Sequence, residues 1–570
     1  MTSYTLNNKF NDPFSKVSFG VSIGERNQLE EFSKVLRSGA RMVEVDIASV
    51  YGLGGEQGNS ADTLGKTERE AIANLAKVND VDLSVHAPWA INFSGINPQS
   101  KQKDPLYEHL VESEIGSALK FADDIGKKMG RGNIPVIFHA SADNFSDPDK
   151  TIVFSVYDTK EDKILQTGRQ ELNMGIDMNS AASPEEKKMI AKERFDKTYG
   201  GDFYKKLEEK GAVISDEGKI LLTPEASFEF QKKKYSQQFS QERASLSFSI
   251  KNQNVIKMQA TKKQWEAKAR SDIKMEEEAA REIRDAEVVI KDLNERYMEL
   301  ETDEKNLEGR FKAYDQKAPE LAAEGIKKAA AFSYFNTESK PVILVENPMS
   351  PDMSLSNPKD TAEAVRIARE GFAEDLHKKH NISLREAEKI SSDLIGINLD
   401  VGHINVFKSY INPKTSKPYS DRDIVEMAKS ASDYLKRYHL NDNMGNKDSH
   451  LPLGQGNAPI KEVYDAMMDK GLDVPAIMEV FGGLGGLEGG TIQSLQYMGA
   501  PLYGNLPYTS LPSYLGQPYS SLIGDYSSYS NLGLKQDMFS YGGFSNIFPA
   551  VGGGYMENKG NSGFSGAPLV

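Results

Sequence analysis

The chain contains no cysteine. Disulfides, thiolate metal sites and a cysteine nucleophile are therefore excluded, and any bound divalent ion must be held by nitrogen and oxygen. Long apolar runs are missing too. No stretch is long enough to span a bilayer, and Met1-Thr-Ser-Tyr-Thr-Leu lacks a basic-then-apolar export signal, so we expect a cytoplasmic protein without a membrane partner. Positive charge is in deficit. Across 570 residues, 83 acidic side chains against 69 basic ones leave a net charge of -14. Such a chain attracts polyanions poorly overall, so contact with nucleic acid needs a local basic or metal-based site. Histidine is scarce, with eight in all, which makes its placement informative.

The remaining composition, 38% hydrophobic and 27% charged, suits a globular chain of more than one domain. Apolar, β-branched segments alternate with amphipathic ones. Strands are expected to start near 17, 42, 81, 134, 341, 395, 437 and 474. Runs such as Pro341-Val-Ile-Leu-Val-Glu346 suit parallel strands buried on both faces. Eight β-α units predict an α/β fold, a (β/α)8 TIM barrel. Its halves cover 1–144 and 316–485.

The rhythm breaks between them. Residues 145–315 read as an insertion between strands four and five, with a hairpin at 152–166 and a charged helical stretch behind it. Ala279, Ile283, Ala286, Ile290, Leu293, Tyr297 and Leu300 alternate steps of four and three. That seam predicts a coiled-coil arm folding back on 228–258, with a partner the sequence does not name. A solvated helical spacer is the plainer alternative. The segment 486–570 shifts to Gly, Ser, Tyr, Pro and Leu and reads as a low-complexity, largely disordered tail.

Candidate ligands fall at strand ends: His86, His139, Glu346, Asp400 with His403, His439, and Glu479. Asp448 and His450 follow in the loop after strand seven. Strand C-termini share one face of a barrel, where active sites are built. Imidazole and carboxylate together suit a divalent metal, and nine such groups could seat two or three ions. A single histidine at a strand end is more often a hydrogen-bonded structural residue, but chance is a poor account of five at equivalent places. His109, His377 and His380 read as ordinary helix-surface residues. Of Glu44 and Asp46 on strand two, one is expected to point into the barrel behind the ligands; a buried structural pair is the alternative. Trp89, three residues past His86, reads either as a stacking or wedge side chain at the mouth or as a residue packed under a loop.

Several motifs carry a resemblance. His86-Ala-Pro-Trp-Ala-Ile-Asn-Phe, Phe-His139, Val-Glu346-Asn, Asp400-x-x-His403, His439-Leu-Asn-Asp, Asp448-x-His450 and Glu479 resemble the endonuclease IV family within the xylose-isomerase-like barrels, over 17–150 and 316–482. That resemblance implies a zinc-dependent deoxyribonuclease that cuts damaged double-stranded DNA 5′ to abasic sites. It implies one zinc on His86, His139 and Glu346. A second would sit on Glu346, Asp400, His439 and Glu479, and a third on His403, Asp448 and His450. Glu346 would bridge two of the ions, and Glu346 and Glu479 would be catalytic. Bound ions would lower the pKa of a water and polarise the phosphate. The short link from His439 to Asp448 equally suits sugar isomerases and epimerases of the same superfamily. Those need one Mn or Mg ion on Glu346, Asp400, His439 and Glu479, and a small sugar or sugar phosphate as substrate. In a third reading the barrel is a scaffold for the arm and tail, which the intact ligand set disfavours.

Overall fold

The computed structural model describes residues 19–23, 28–37, 42–47, 61, 64–149, 151–175 and 183–480, with scattered positions between 490 and 507. The glycine-rich stretch Gly52-Leu-Gly-Gly55, which the sequence reads as a loop after the second strand without the Lys-Ser/Thr of a phosphate loop, and nearly all of the expected tail lie outside the described residues. The chain divides into two compact units, Met1–Asp149 with Tyr314–Val570, and Lys150–Ala313.

In the first unit, short β-branched runs become strands because both of their faces are covered. Val342–Glu346 is buried at every position, and so is Ile395–Asp400. In chain order the strands are β1 Phe19–Ile23, β2 Met42–Asp46, β3 Asp82–His86 and β4 Pro135–His139. They continue with β5 Val342–Glu346, β6 Ile395–Asp400, β7 Leu435–Leu440 and β8 Ala476–Met478. Each pairs in parallel with its sequence neighbour, and β1 pairs with β8, closing the barrel. The expected (β/α)8 architecture is thus present. Register decides what meets at the mouth: His139 lies beside Glu346, and Asp400 beside His439.

Local signals set the helix ends. Asp104 caps Pro105–Met129 by accepting from the amides of Leu106 and Tyr107, with Pro105 in the first turn where its missing N–H costs nothing. Asn357 caps Pro358–His380, which stops at Asn381 in the left-handed region (φ 55°). His377 and His380 are exposed at that helix end, and His109 is exposed on its helix, as the sequence predicted. Among the described residues no helix is long and apolar enough to cross a membrane.

In the second unit, Val153–Asp158 and Lys163–Gly168 form the expected hairpin. Phe195, Tyr204, Leu207, Ile220, Leu222 and Phe230 make a small apolar core. Two long helices dominate the rest: Pro224–Ala269, the first arm helix, and Ile273–Lys305, the second. The ion pairs Arg243–Glu304, Lys257–Glu287, Lys263–Glu282 and Lys268–Glu276 run in opposite order along them, so the helices lie antiparallel. Small side chains, Ala260, Ala267, Ala279 and Ala286, are the buried contacts between them.

Candidate metal centre

All nine candidate ligands converge on one end of the barrel. Period-two alternation aims every second strand residue inward, and the last inward position of each strand faces the mouth. Glu346, Asp400 and His439 have no exposed surface, and His403 has 2%. Neighbouring imidazoles stand close: ring centroids are 5.2 Å apart for His86–His139, 5.6 Å for His86–His439, 5.7 Å for His139–His403 and 6.2 Å for His403–His450.

Within this cluster are three sets whose ligand atoms all lie within 4.8 Å of one another: His86, His139 and Glu346; Glu346, Asp400, His439 and Glu479; and His403, Asp448 and His450. His86, His439 and Glu479 satisfy the same limit. Glu346 belongs to two sets, where a bridging carboxylate would stand. Trp89 is 43% exposed on the loop after β3, so it is not packed away under that loop.

Buried polar atoms left without hydrogen bonds test whether a cation fits. Among them are His86 Nε2, His139 Nδ1, Glu346 Oε1, both ring nitrogens of His439, Asp448 Oδ1 and Glu479 Oε2. Unpaired buried polar atoms are costly, and so many in one place point to a missing partner. His439 shows the pattern best. Its Nδ1 lies 3.0 Å from Glu479 Oε2 and 3.2 Å from Glu346 Oε2, near enough for attraction but without hydrogen-bond direction. A nitrogen and oxygens converging without bonding each other fit a shared divalent ion.

Other side chains aim the ligands. His86 Nδ1 contacts the carbonyl of Ala87 at 2.8 Å, which turns Nε2 toward Glu346. His403 Nδ1 contacts the carbonyl of Asn347 at 2.8 Å, and Asn347 is itself tied to the backbone of Asp400. Asn398 donates to Glu346 Oε2 at 3.0 Å, and Asn441 to Asp400 Oδ2 at 2.7 Å. Gly402 makes room for that last contact, since a Cβ there would collide with the Asn441 side chain. Glu44 is fully buried on β2, 2.9 Å from His439 Nε2, and accepts from Ser84 Oγ at 2.8 Å. Asp46 accepts from Ser22 Oγ at 2.9 Å. The two β2 carboxylates thus have separate partners and are not a structural pair. Asn398, Asn441 and Asn347 escaped sequence reasoning as functional residues. The signal for Asn398 was available, because it shares a strand face with Asp400.

The loop after β7 carries Asp448 and His450 of the third set, and His403, just after β6, completes it. Asp442 anchors the loop: its carboxylate accepts from the amides of Asn443, Gly454, Gly456 and Ala458. Gly454 has φ +85°, a conformation that favours glycine. The Leu-Gly-x-Gly run therefore serves to wrap the backbone around Asp442. His450 sits at φ +45°, with Nε2 2.7 Å from Asp448 Oδ2 and Nδ1 3.1 Å from the Glu479 carbonyl. A non-glycine residue held in the left-handed region is a local strain of the kind that collects at functional sites.

Electrostatics without ions show charges compensating one another. Burial opposes the charge on Glu346, but His439 and His86 hold it well below the usual carboxylate range. The same contest, with His439 and His450 prevailing, brings Glu479 down to about 2. Burial raises Asp400 to about 7 and Asp46 to about 8. Burial also disfavours a charged His86, yet Glu346 and other carboxylates raise it to about 10. His139, where burial prevails, falls to about 3.

Comparison with known proteins adds the following. Residues 246–500 match the family described as xylose isomerase-like TIM barrel. A solved structure described as a D-tagatose 3-epimerase-like protein is 13% identical, over 81% of this chain and 90% of that one, with a TM-score of 0.32. A likeness that slight says nothing about activity. No curated protein matches this sequence.

Proposed function

We propose, starting from the xylose isomerase-like barrel that residues 246–500 match, that this chain is a metal-dependent phosphodiesterase of endonuclease IV type. Its substrate would be duplex DNA, cut 5′ to an abasic site, with zinc as the metal. The observation that carries the reading is the pair of donor sets beyond the four-residue one: His86–His139–Glu346 and His403–Asp448–His450. A sugar isomerase needs only Glu346, Asp400, His439 and Glu479. In a sugar isomerase the remaining histidines would bind substrate; here Asp448 joins His403 and His450 in a further set of donors, which favours additional ions.

Bound ions would supply Lewis acidity and a water of lowered pKa. The chain's own residues do the rest. Glu346 lies between two donor sets and fixes their spacing. Glu44 holds His439 Nε2, so Nδ1 faces Glu346 and Glu479. Asn398 and Asn441 hold Glu346 and Asp400 in place. Trp89, exposed on the loop after β3, would lie against a base or sugar exposed by the lesion. Seating a phosphate needs positive charge that this acidic mouth lacks by itself, and divalent ions provide it.

The test is incubation of zinc-loaded protein with a duplex bearing one abasic analogue. We expect a single cut 5′ to the lesion, abolished by Glu346→Gln. Fully metallated protein that leaves the duplex intact but interconverts an aldose and a ketose would replace this reading with the isomerase.

A further inference from the structure

The first arm helix carries two stripes, and its antiparallel neighbour covers one of them. Leu246, Ile250, Gln253, Lys257, Ala260, Gln264 and Ala267 alternate steps of four and three, and all are buried or half-buried. This is the seam with the second arm helix. A second set with heptad spacing, Phe248, Lys251, Val255, Met258, Lys262 and Trp265, is displaced by two residues. At about 100° per residue that places it on the far side of the helix. Phe248 is 66% exposed, Val255 47%, Met258 67% and Trp265 76%. Four large apolar side chains in line on a helix surface mark an interaction site more often than idle surface.

We propose that this stripe is covered by the same stripe of a second copy of the chain, packed antiparallel about a two-fold axis between Ile256 and Lys257. The order of the stripe is the argument: aromatic, lysine, aliphatic, aliphatic, lysine, aromatic. It reads the same in both directions, which is what an isologous two-fold contact requires. Phe248 meets Trp265 of the partner subunit, and Val255 meets Met258 of the partner subunit. Lys251 faces Lys262 of the partner subunit, each lying along the interface on its methylene stem with its charge in solvent. Of the flanking positions, Ser247, Ser249, Asn252, Asn254, Ile256, Gln259 and Thr261 are uncharged; the charged ones are Lys263, which pairs with Glu282 on the second arm helix at 3.1 Å, and Glu266, so the lysine pairs of the stripe are the main repulsion between copies.

Each copy offers on the order of 500 Å² of apolar side-chain surface, so a pair buries about 1,000 Å², the small end of specific interfaces. The dimer is weak, with a Kd on the order of 10 µM. Salt strengthens it, because screening relieves the lysine pairs.

The test is sedimentation of the full chain over a concentration series, with Trp265 emission followed in a Trp89→Phe background. We expect a reversible monomer–dimer equilibrium, with Trp265 emission shifting to shorter wavelength as dimer forms. Lys251→Glu places an acid opposite Lys262 of the partner subunit twice per dimer and should tighten association about tenfold. Lys251→Glu with Lys262→Glu restores like charges and should return it to the original value. Val255→Glu should abolish the dimer with the helical circular dichroism retained. A chain that stays monomeric at every concentration, or a dimer that Lys251→Glu weakens or leaves unchanged, would overturn the proposal.

Discussion

His439 is held from both sides. Glu44 stands at Nε2, while Glu346 and Glu479 stand at Nδ1, all with less than a tenth of their side chains exposed. A carboxylate behind a ligating imidazole sets its tautomer and raises its basicity. Glu44→Gln keeps the shape and removes that charge. We expect metal affinity to fall about 10- to 100-fold with the circular dichroism spectrum unchanged, measured by competition against a chelating dye. Unaltered affinity would show that Glu44 only fills space. Sequence reasoning placed one β2 carboxylate behind the ligands but could not say which, because the facing partner comes from a strand almost 400 residues away. Gly402 and Asn441 were equally hidden as a pair. Their fit is steric, across two strands, and leaves no mark in local spacing.

At the level of elements, alternation and β-branching placed all eight strands within two residues of their starts. Each strand is bounded by an amphipathic helix and carries its own apolar run, so the signal is local. In the arm, steps of four and three repeat over many turns; of those positions Ala279 and Ala286 are buried and Ile283, Ile290, Leu293, Tyr297 and Leu300 half-buried. The loop after β7 was not so legible. Its motif was read as a source of ligands, whereas both of its glycines, Gly454 and Gly456, serve Asp442, whose role depends on backbone amides 12 to 16 residues ahead. Asp442→Ala leaves those amides without an acceptor, and we expect a loss of about 2–4 kcal/mol in denaturant unfolding. The third donor set should lose its metal before the other two, as read by stepwise chelation. Cooperative loss of all metal together would show that the loop is not an independent holder of its site.

Across the whole molecule, an acidic chain concentrates five carboxylates, Glu44, Glu346, Asp400, Asp448 and Glu479, at one end of its barrel. Without ions the balance is kept by protons. His86, held near 10 against an ordinary 6.5, contributes stability that is complete below about pH 6.5 and is lost as pH rises through about 10. Divalent ions bound by these groups would do the same work at neutral pH without protons.

Metal stoichiometry separates the readings most directly. Native mass spectrometry of protein purified without chelators, then equilibrated with zinc at neutral pH, should show three ions per chain, one for each donor set. Substitution of His450 by alanine should leave two. One exchangeable ion per chain, unaffected by that substitution, would contradict the account.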